Sequence, residues 1–316
     1  MKRSLLTISL VIFALMSFAQ VQLTQYFLEP TIYNPAFAGS KDAICNSVFA
    51  RQQWLGFNAG TNDHITPLSF VYSIHSLLYS LHSGLGANVL YENGIGAETN
   101  TGVKLNYAYK IPVRQEKSVI ILGLGLSILD KNISFSDYLL EEQGDPLLKN
   151  TNDKNGILTD LDFGLLYQSG RKFYVGVSGT NLMESSAEIG NVNYNNTRNL
   201  FLTTGYTISL INDKRQTLDL VPSILLKSNF YNMQVDINAR VEYNNRYWGG
   251  LSYRHQDALA IMAGIQFSGF RVGAAYDLTI GGFQKASNGS AELFIGYCYS
   301  ITPKVILQSL YNTRYL

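Results

Sequence analysis

The sequence predicts an all-β protein: an antiparallel transmembrane β-barrel of the outer-membrane type, with about fourteen strands. Three observations predict it. First, apolar and polar residues alternate with period two along most of the chain. From Gln234 to Tyr243, Val235, Ile237, Ala239, Val241 and Tyr243 share one face, and Gln234, Asp236, Asn238, Arg240 and Glu242 share the other. Second, charged residues make up 15% of the chain, against about 25% in soluble proteins, and mean hydropathy is +0.02. Yet no apolar run after the N-terminus reaches the length of a membrane helix. Third, the connections between alternating runs are long only at every second position, as a barrel with short periplasmic turns and long outer loops requires.

The elements follow in chain order. Lys2 and Arg3 precede an apolar stretch from Leu5 to Met16, and Ser17-Phe18-Ala19 supplies small residues at the −3 and −1 positions. Residues 1–19 therefore read as a cleavable signal peptide, and the mature chain as exported. Residues 20–42 include Tyr26–Ser40, an aromatic, apolar stretch interrupted by Pro30, Pro35 and Gly39. It is too short and too broken to cross a membrane and too aromatic to sit in water. The expectation is a plug tucked into the periplasmic mouth of the barrel; the alternative is a periplasmic arm that orders on a partner.

Residues 43–300 carry the barrel. The runs fall at 43–54, 64–75, 84–92, 97–109, 119–129, 157–168, 172–179, 198–209, 217–227, 230–243, 247–255, 258–268, 270–279 and 290–300. Gly123 and Gly125 are read as residues that let a strand bend and twist. The long connections, Leu55–Asp63, Asp130–Gly156, Thr180–Thr197 and Ile280–Gly289, share one parity. The short ones, Ser169–Arg171, Asn244–Arg246 and Ser268–Gly269, share the other. This assigns both termini to the periplasm, with residues 301–316 as a periplasmic tail. The barrel is predicted to lie in the outer membrane in contact with its lipid.

Little in the chain points to catalysis. His64, His75, His82 and His255 show no metal-ligand spacing. No G-x-S-x-G nucleophile motif or phosphate-binding loop occurs, so neither an enzyme nor a cofactor is expected. A net charge of +1 gives no electrostatic case for nucleic acid. Asp160, Asp162, Asp236, Arg240, Glu242 and Asp277 fall on predicted inward faces. Charge pairing inside a closed barrel is the preferred reading; a polar pathway or partner site is the alternative. Cys45 and Cys298 lie in the first and last runs, which closure makes neighbours. A disulfide stapling the seam and two free thiols stand level on sequence alone.

Several stretches resemble the PorP/SprF family of type IX secretion system proteins. Tyr33, Asn34, Pro35, Ala36, Phe37, Ala38, Gly39 and Ser40 resemble the family's early N-P-A-Y/F-A-G-S block. Arg51, Gln53, Trp54, Gly56 and Phe57 resemble its R-x-Q-W-x-G-F block. "FYVGVSGTNLMES", "YWGGLSYRHQDALAIMAGIQF" and "RVGAAYDLTI" follow in the family's order, and "YNTRYL" resembles endings in one branch. The resemblance implies a non-enzymatic role in export or surface anchoring of specific cargo, such as gliding adhesins with C-terminal secretion domains. It implies partners among the secretion machinery or periplasmic peptidoglycan-binding proteins. A diffusion channel for small or hydrophobic solutes is the alternative.

Overall fold

The computed structural model describes residues 22–41, 43–57, 67–78, 82–94, 98–113, 118–133, 154–170, 172–189, 192–213, 215–282, 284 and 286–300. Among the described residues, seventeen strands are numbered in chain order. The first seven are β1 (Ala43–Gln52), β2 (Leu68–Leu78), β3 (Ser83–Asn93), β4 (Glu98–Val113), β5 (Ser118–Ile133), β6 (Lys154–Ser169) and β7 (Phe173–Thr180). The short pair β8 (Ser186–Ile189) and β9 (Val192–Asn195) is followed by β10 (Asn199–Tyr206), β11 (Ile208–Asn212) and β12 (Thr217–Ser228). The last five are β13 (Met233–Tyr243), β14 (Tyr247–Arg254), β15 (Ala258–Phe267), β16 (Phe270–Thr279) and β17 (Ser290–Ser300). The signal peptide, most of the long connection before β6, His64 and the tail after Ser300 lie outside the described residues.

All strands but β8 and β9 form one antiparallel sheet that closes on itself. β1 pairs with β17 over its full length, from Ala43↔Ser300 to Gln52↔Ala291. β10 and β11 both pair with β12 and share one place in the wall, so fifteen strands fill fourteen positions. Closure leaves no long sheet edge to pair with another chain. Among the described residues no helix is long and apolar enough to cross a membrane; the strands do so.

The alternation fixes which face points where. On β1, Ala43, Cys45, Ser47, Phe49 and Arg51 are buried, and the residues between them are not. Large apolar side chains on the opposite phase are bare: Leu124 is 59% exposed and Leu293 60%. In water such a girdle would be an aggregation surface; in lipid it is the stabilising face. The backbone polar groups of the wall are satisfied between strands, as the bilayer demands.

Several boundaries differ from the sequence reading. β5 and β6 run four and three residues further toward the long-loop end than the alternation suggested, ending at Ile133 and starting at Lys154. Their upper parts still pair, from Leu129↔Leu158 to Ile133↔Lys154, so the ladder outlasts the apolar pattern. The run read as 198–209 breaks at Thr207, and the register shifts between Ser209 and Ile211, an irregularity that re-aims the strand. The run read from residue 230 starts at Met233, because Asn229 Oδ1 accepts from the backbone of Tyr231 and Asn232 and holds a turn.

Candidate functional site

The interior is the candidate site, and its main occupant is the segment before β1. Leu23, Tyr26, Leu28, Tyr33, Ala36, Phe37 and Ala38 are all buried. They form three clusters with inward residues from around the wall. Leu23 and Leu28 pack with Phe49, Val71 and Phe294. Ala36, Phe37 and Ala38 pack with Ala108, Ile121 and Leu166. Tyr26 and Tyr33 pack with Phe201 and Leu225. The segment therefore joins opposite sides of the barrel through one core.

Its placement differs from the expected mouth. Thr24 and Gln25 meet Glu292 and Asp277, near the long-loop ends of β17 and β16. Ala36 to Ala38 meet β4, β5 and β6 near their short-turn ends. The chain thus runs along most of the barrel's length before entering β1, because it has polar partners at one end and an apolar pocket at the other.

The Asn34–Phe37 block explains the lower half. Pro30 and Pro35 each start a single 3-10 turn. The Asn34 side chain accepts from the Ala36 amide at 2.9 Å and donates to the carbonyls of Leu165 and Val177 at 3.3 and 3.4 Å. Ser178 donates to the Tyr33 carbonyl at 2.8 Å. This backbone approach needs glycine in the wall. A Cβ on Gly123 would lie 2.2 Å from the Ala36 nitrogen, and one on Gly164 would lie 2.0 Å from Asn34 Oδ1. Beside the bending role read for Gly123 from sequence, the structure gives it a steric one: room for the backbone of Ala36.

The upper half is ionic. Arg51 Nη2 meets Asp277 at 2.8 Å and Nη1 meets Glu292 at 3.2 Å. Arg254 reaches Asp236, Asp257 and Asp277 at 3.2 to 3.3 Å. Thr24 is the hub: its amide donates to Glu292 at 2.7 Å and its hydroxyl donates to Asp277, while Arg51 and Arg254 donate to that hydroxyl. Buried charges persist when paired and hydrogen-bonded, as here. Alternation identified Asp236 and Asp277 but not Thr24, Arg254 or Glu292 as a unit; the last two do lie on the polar phase of their strands.

Asp160 and Asp162 face elsewhere. Asp162 meets Lys104 at 2.7 Å and accepts from the Asn181 amide. Asp160 accepts from Ser185 and Asn196. These bonds turn the connection between β7 and β10 inward, so that Thr180–Thr197 is not a free outer loop. Its β8–β9 hairpin lies over β6, with Ala187 and Ile189 against Gly156, and Lys131 stacks on Tyr194. Burial chiefly, with Glu98 and Glu92, pushes the Tyr194 hydroxyl up to about 12. Arg240 pairs with Glu242 at 2.8 Å. Among the described residues no cluster of His, Cys, Asp and Glu could hold a metal ion.

The second motif closes the seam. Arg51 points inward, while Gln53 and Leu55 donate their amides to Pro67 and Gly289 carbonyls. Trp54 adopts φ 53° and donates its amide to Ser290 Oγ; Gly56, at φ 75°, sits against Asn288. At the opposite end of the same seam Cys45 and Cys298 face each other in register, with Cα atoms 4.1 Å apart and the sulfurs bonded. Replacing either by serine is expected to cost about 2–4 kcal/mol, the usual range for a cross-link of distant residues. Heat-modifiable gel mobility with and without reductant measures it; identical unfolding temperatures would remove the staple from the account.

Comparisons with known proteins fit this geometry. Residues 16–297 match the family model described as type IX secretion system membrane protein PorP/SprF. No curated protein matches the chain. Among solved structures, the toluene transporter TbuX of Ralstonia pickettii aligns with TM-score 0.53 at 12% identity, over 86% of this chain and 93% of that one. The toluene transporter TodX of Pseudomonas putida aligns with TM-score 0.51 at 11% identity, over 85% and 93%. At such identities these likenesses concern the barrel fold alone.

Proposed function

Because the chain belongs to the PorP/SprF family of type IX secretion system membrane proteins, we propose that it assists export or surface anchoring of specific cargo, without catalysis, through contacts with other proteins. The cargo would be large exported proteins, such as gliding adhesins, that bear C-terminal secretion domains. The machinery-side partners would be periplasmic and peptidoglycan-bound. In this reading the barrel sits in the outer membrane with its long loops outside. Ala43 and Ser300, paired at the short-turn end, then face the periplasm, and the C-terminal tail with them, whereas Thr24, held near the long-loop ends of β16 and β17, lies toward the outer side.

The observation that supports this reading most is a family match over nearly the whole chain, on a barrel whose interior is occupied by its own N-terminal segment. A filled lumen leaves the loops, the turns and the mouths as working surfaces. The alternative is a diffusion channel for small or hydrophobic solutes. It shares the barrel, but the packed interior weighs against a standing aqueous path.

Deletion of the gene, followed by proteomics of the cell surface and the medium, tests the proposal. Loss or shedding of one or a few large exported proteins is expected. An unchanged exoproteome with altered uptake of small solutes would move the function to the channel reading.

A further inference from the structure

The connections at the two ends of the barrel carry opposite charge. The six short ones, from 79–82 to 268–269, hold seven Lys or Arg against two Asp or Glu; the seven at the other end hold three against nine. Charge facing the lumen at the short-turn end does not reverse this, since Lys41, Arg240 and Arg271 stand there against Glu29, Asp219 and Glu242. Three of the seven cations lie among the described residues, and all three are exposed: Lys172, Arg215 and Arg246. None enters an ion pair among the described residues. Asp213 is the one exposed carboxylate in these turns among the described residues. The turns are tied to the wall: Lys172 donates its amide to Ser169 and accepts from Thr207 at 2.7 Å, and Arg246 donates to Tyr243 and accepts from Gln266 at 2.7 Å. The backbone thus fixes where these charges leave the barrel.

Their height is set by the rings beside them. Outward aromatic side chains circle this end of the wall: Tyr109, Tyr206, Tyr243, Tyr247, Phe267 and Phe270 are between 39% and 50% exposed. Rings so placed mark the level where acyl chains give way to headgroups. Lys172 directly precedes Phe173 at the start of β7. Arg246 directly precedes Tyr247, with its guanidinium 5.4 Å from the centre of that ring. Arg215 sits in the turn between β11 and β12, whose Ile208 and Ile211 lie opposite Leu220 and Leu218. That hairpin is apolar up to its turn and cationic in it. In each case a long cationic side chain starts just past lipid-facing surface, where the nearest anions of a bilayer are lipid phosphates. Arginine meets a phosphate with two parallel N–H bonds. An acidic protein would meet the same charges, but would not need them set against the aromatic girdle.

We propose that Lys172, Arg215 and Arg246 bind the phosphate headgroups of anionic phospholipids in the leaflet around the short-turn end. Attraction to an anionic bilayer surface is worth about fivefold in affinity per cation. The three act from separate turns, so lipids are gathered along the rim rather than held in one pocket. Such a layer sets the depth and tilt at which the short turns are presented to any partner on that side. Naming the leaflet as the inner one of the outer membrane rests on the orientation proposed above, whereas lipid binding does not.

The test is native mass spectrometry of the purified chain in detergent micelles, titrated with phosphatidylglycerol or with phosphatidylcholine of identical acyl chains. Phosphatidylglycerol is expected to bind about tenfold more tightly or better. The triple variant Lys172→Gln, Arg215→Gln, Arg246→Gln should bind the two lipids equally, and each single substitution should remove part of the preference. Arg198→Gln, at the long-loop end, should keep it whole. Retained heat-modifiable mobility certifies each variant as a folded barrel; should the triple variant not fold, the single ones carry the comparison. The proposal is overturned by equal affinity of the unaltered chain for the two lipids, or by a preference that the folded variants retain in full. Complete displacement at equimolar inorganic phosphate would overturn it by making the rim a free-anion site. Displacement at equimolar hexaglutamate would overturn it by assigning the rim to an acidic protein. Because the assay needs no secretion, its failure is distinguishable from failure of the export role, which the gene deletion reads.

Discussion

Removing residues 22–41 should turn a blocked barrel into an open one. Fourteen wall positions enclose a lumen wide enough for water once its contents leave. The inward faces left behind are rich in polar groups, among them Ser47, Asn88, Asn106, Asp162 and Asn238, so a wetted pore has no need to collapse. The same result should follow from two substitutions that leave the segment's sequence intact. Gly123→Val and Gly164→Val place atoms where Ala36 and Asn34 now lie, at 2.2 and 2.0 Å from the new Cβ. Neither wall strand can retreat without breaking its ladder, so the segment must move. Gly282→Ala is the control, since nothing lies within 4 Å of its new Cβ. In planar bilayers the wild-type chain and the control should pass little current, and the deletion and valine variants should show stable open steps. A wild-type chain that conducts as freely as the deletion would end the plug account.

The outcome bears on how much of the molecule its sequence discloses. Strand phase was legible: Gln234 to Tyr243 alternates because one side meets lipid and the other the lumen, and β13 spans Met233–Tyr243. The parity of loop lengths was legible for the same reason, since each strand crosses the membrane once. The path of residues 22–41 was not. Aromatic content states that Tyr26, Tyr33 and Phe37 must be covered, but not by what, and the covering residues Phe201, Leu225 and Leu166 lie far along the chain. Nor was the inward fold of the β7–β10 connection, which depends on Asp160 and Asp162 capping amides and side chains of Asn181, Ser185 and Asn196. A length rule sees only a long loop there. Arg51 stood out within a motif, yet its acceptors Asp277 and Glu292 are 226 and 241 residues away. Only closure of β1 onto β17 brings them together.

That pairing yields the second large effect. Arg51→Ala should destabilise the barrel by about 3–5 kcal/mol, the cost of leaving a buried charge without its partner. The two carboxylates are not equally exposed to the loss. Asp277 retains Arg254 at 3.2 Å. Glu292 keeps only neutral donors, the amides of Thr24 and Gln25 and the Gln25 side chain. Glu292→Gln should therefore restore most of the stability lost in Arg51→Ala, and Asp277→Asn should restore little, because it strips Arg254 of an acceptor. The upper anchor of the N-terminal segment depends on the same cluster through Thr24. Arg51→Ala should thus also raise protease cleavage within residues 22–28. Adding Glu292→Gln should not reverse that gain, since the substituted side-chain amide offers Thr24 and Gln25 a weaker, uncharged acceptor. Heat-modifiability midpoints for the single and double variants, with limited proteolysis on the same samples, separate the two consequences. Equal rescue by Glu292→Gln and Asp277→Asn would mean that the cluster behaves as one delocalised charge pool, and that the specific Arg51–Glu292 contact matters less than the balance of charge around Thr24.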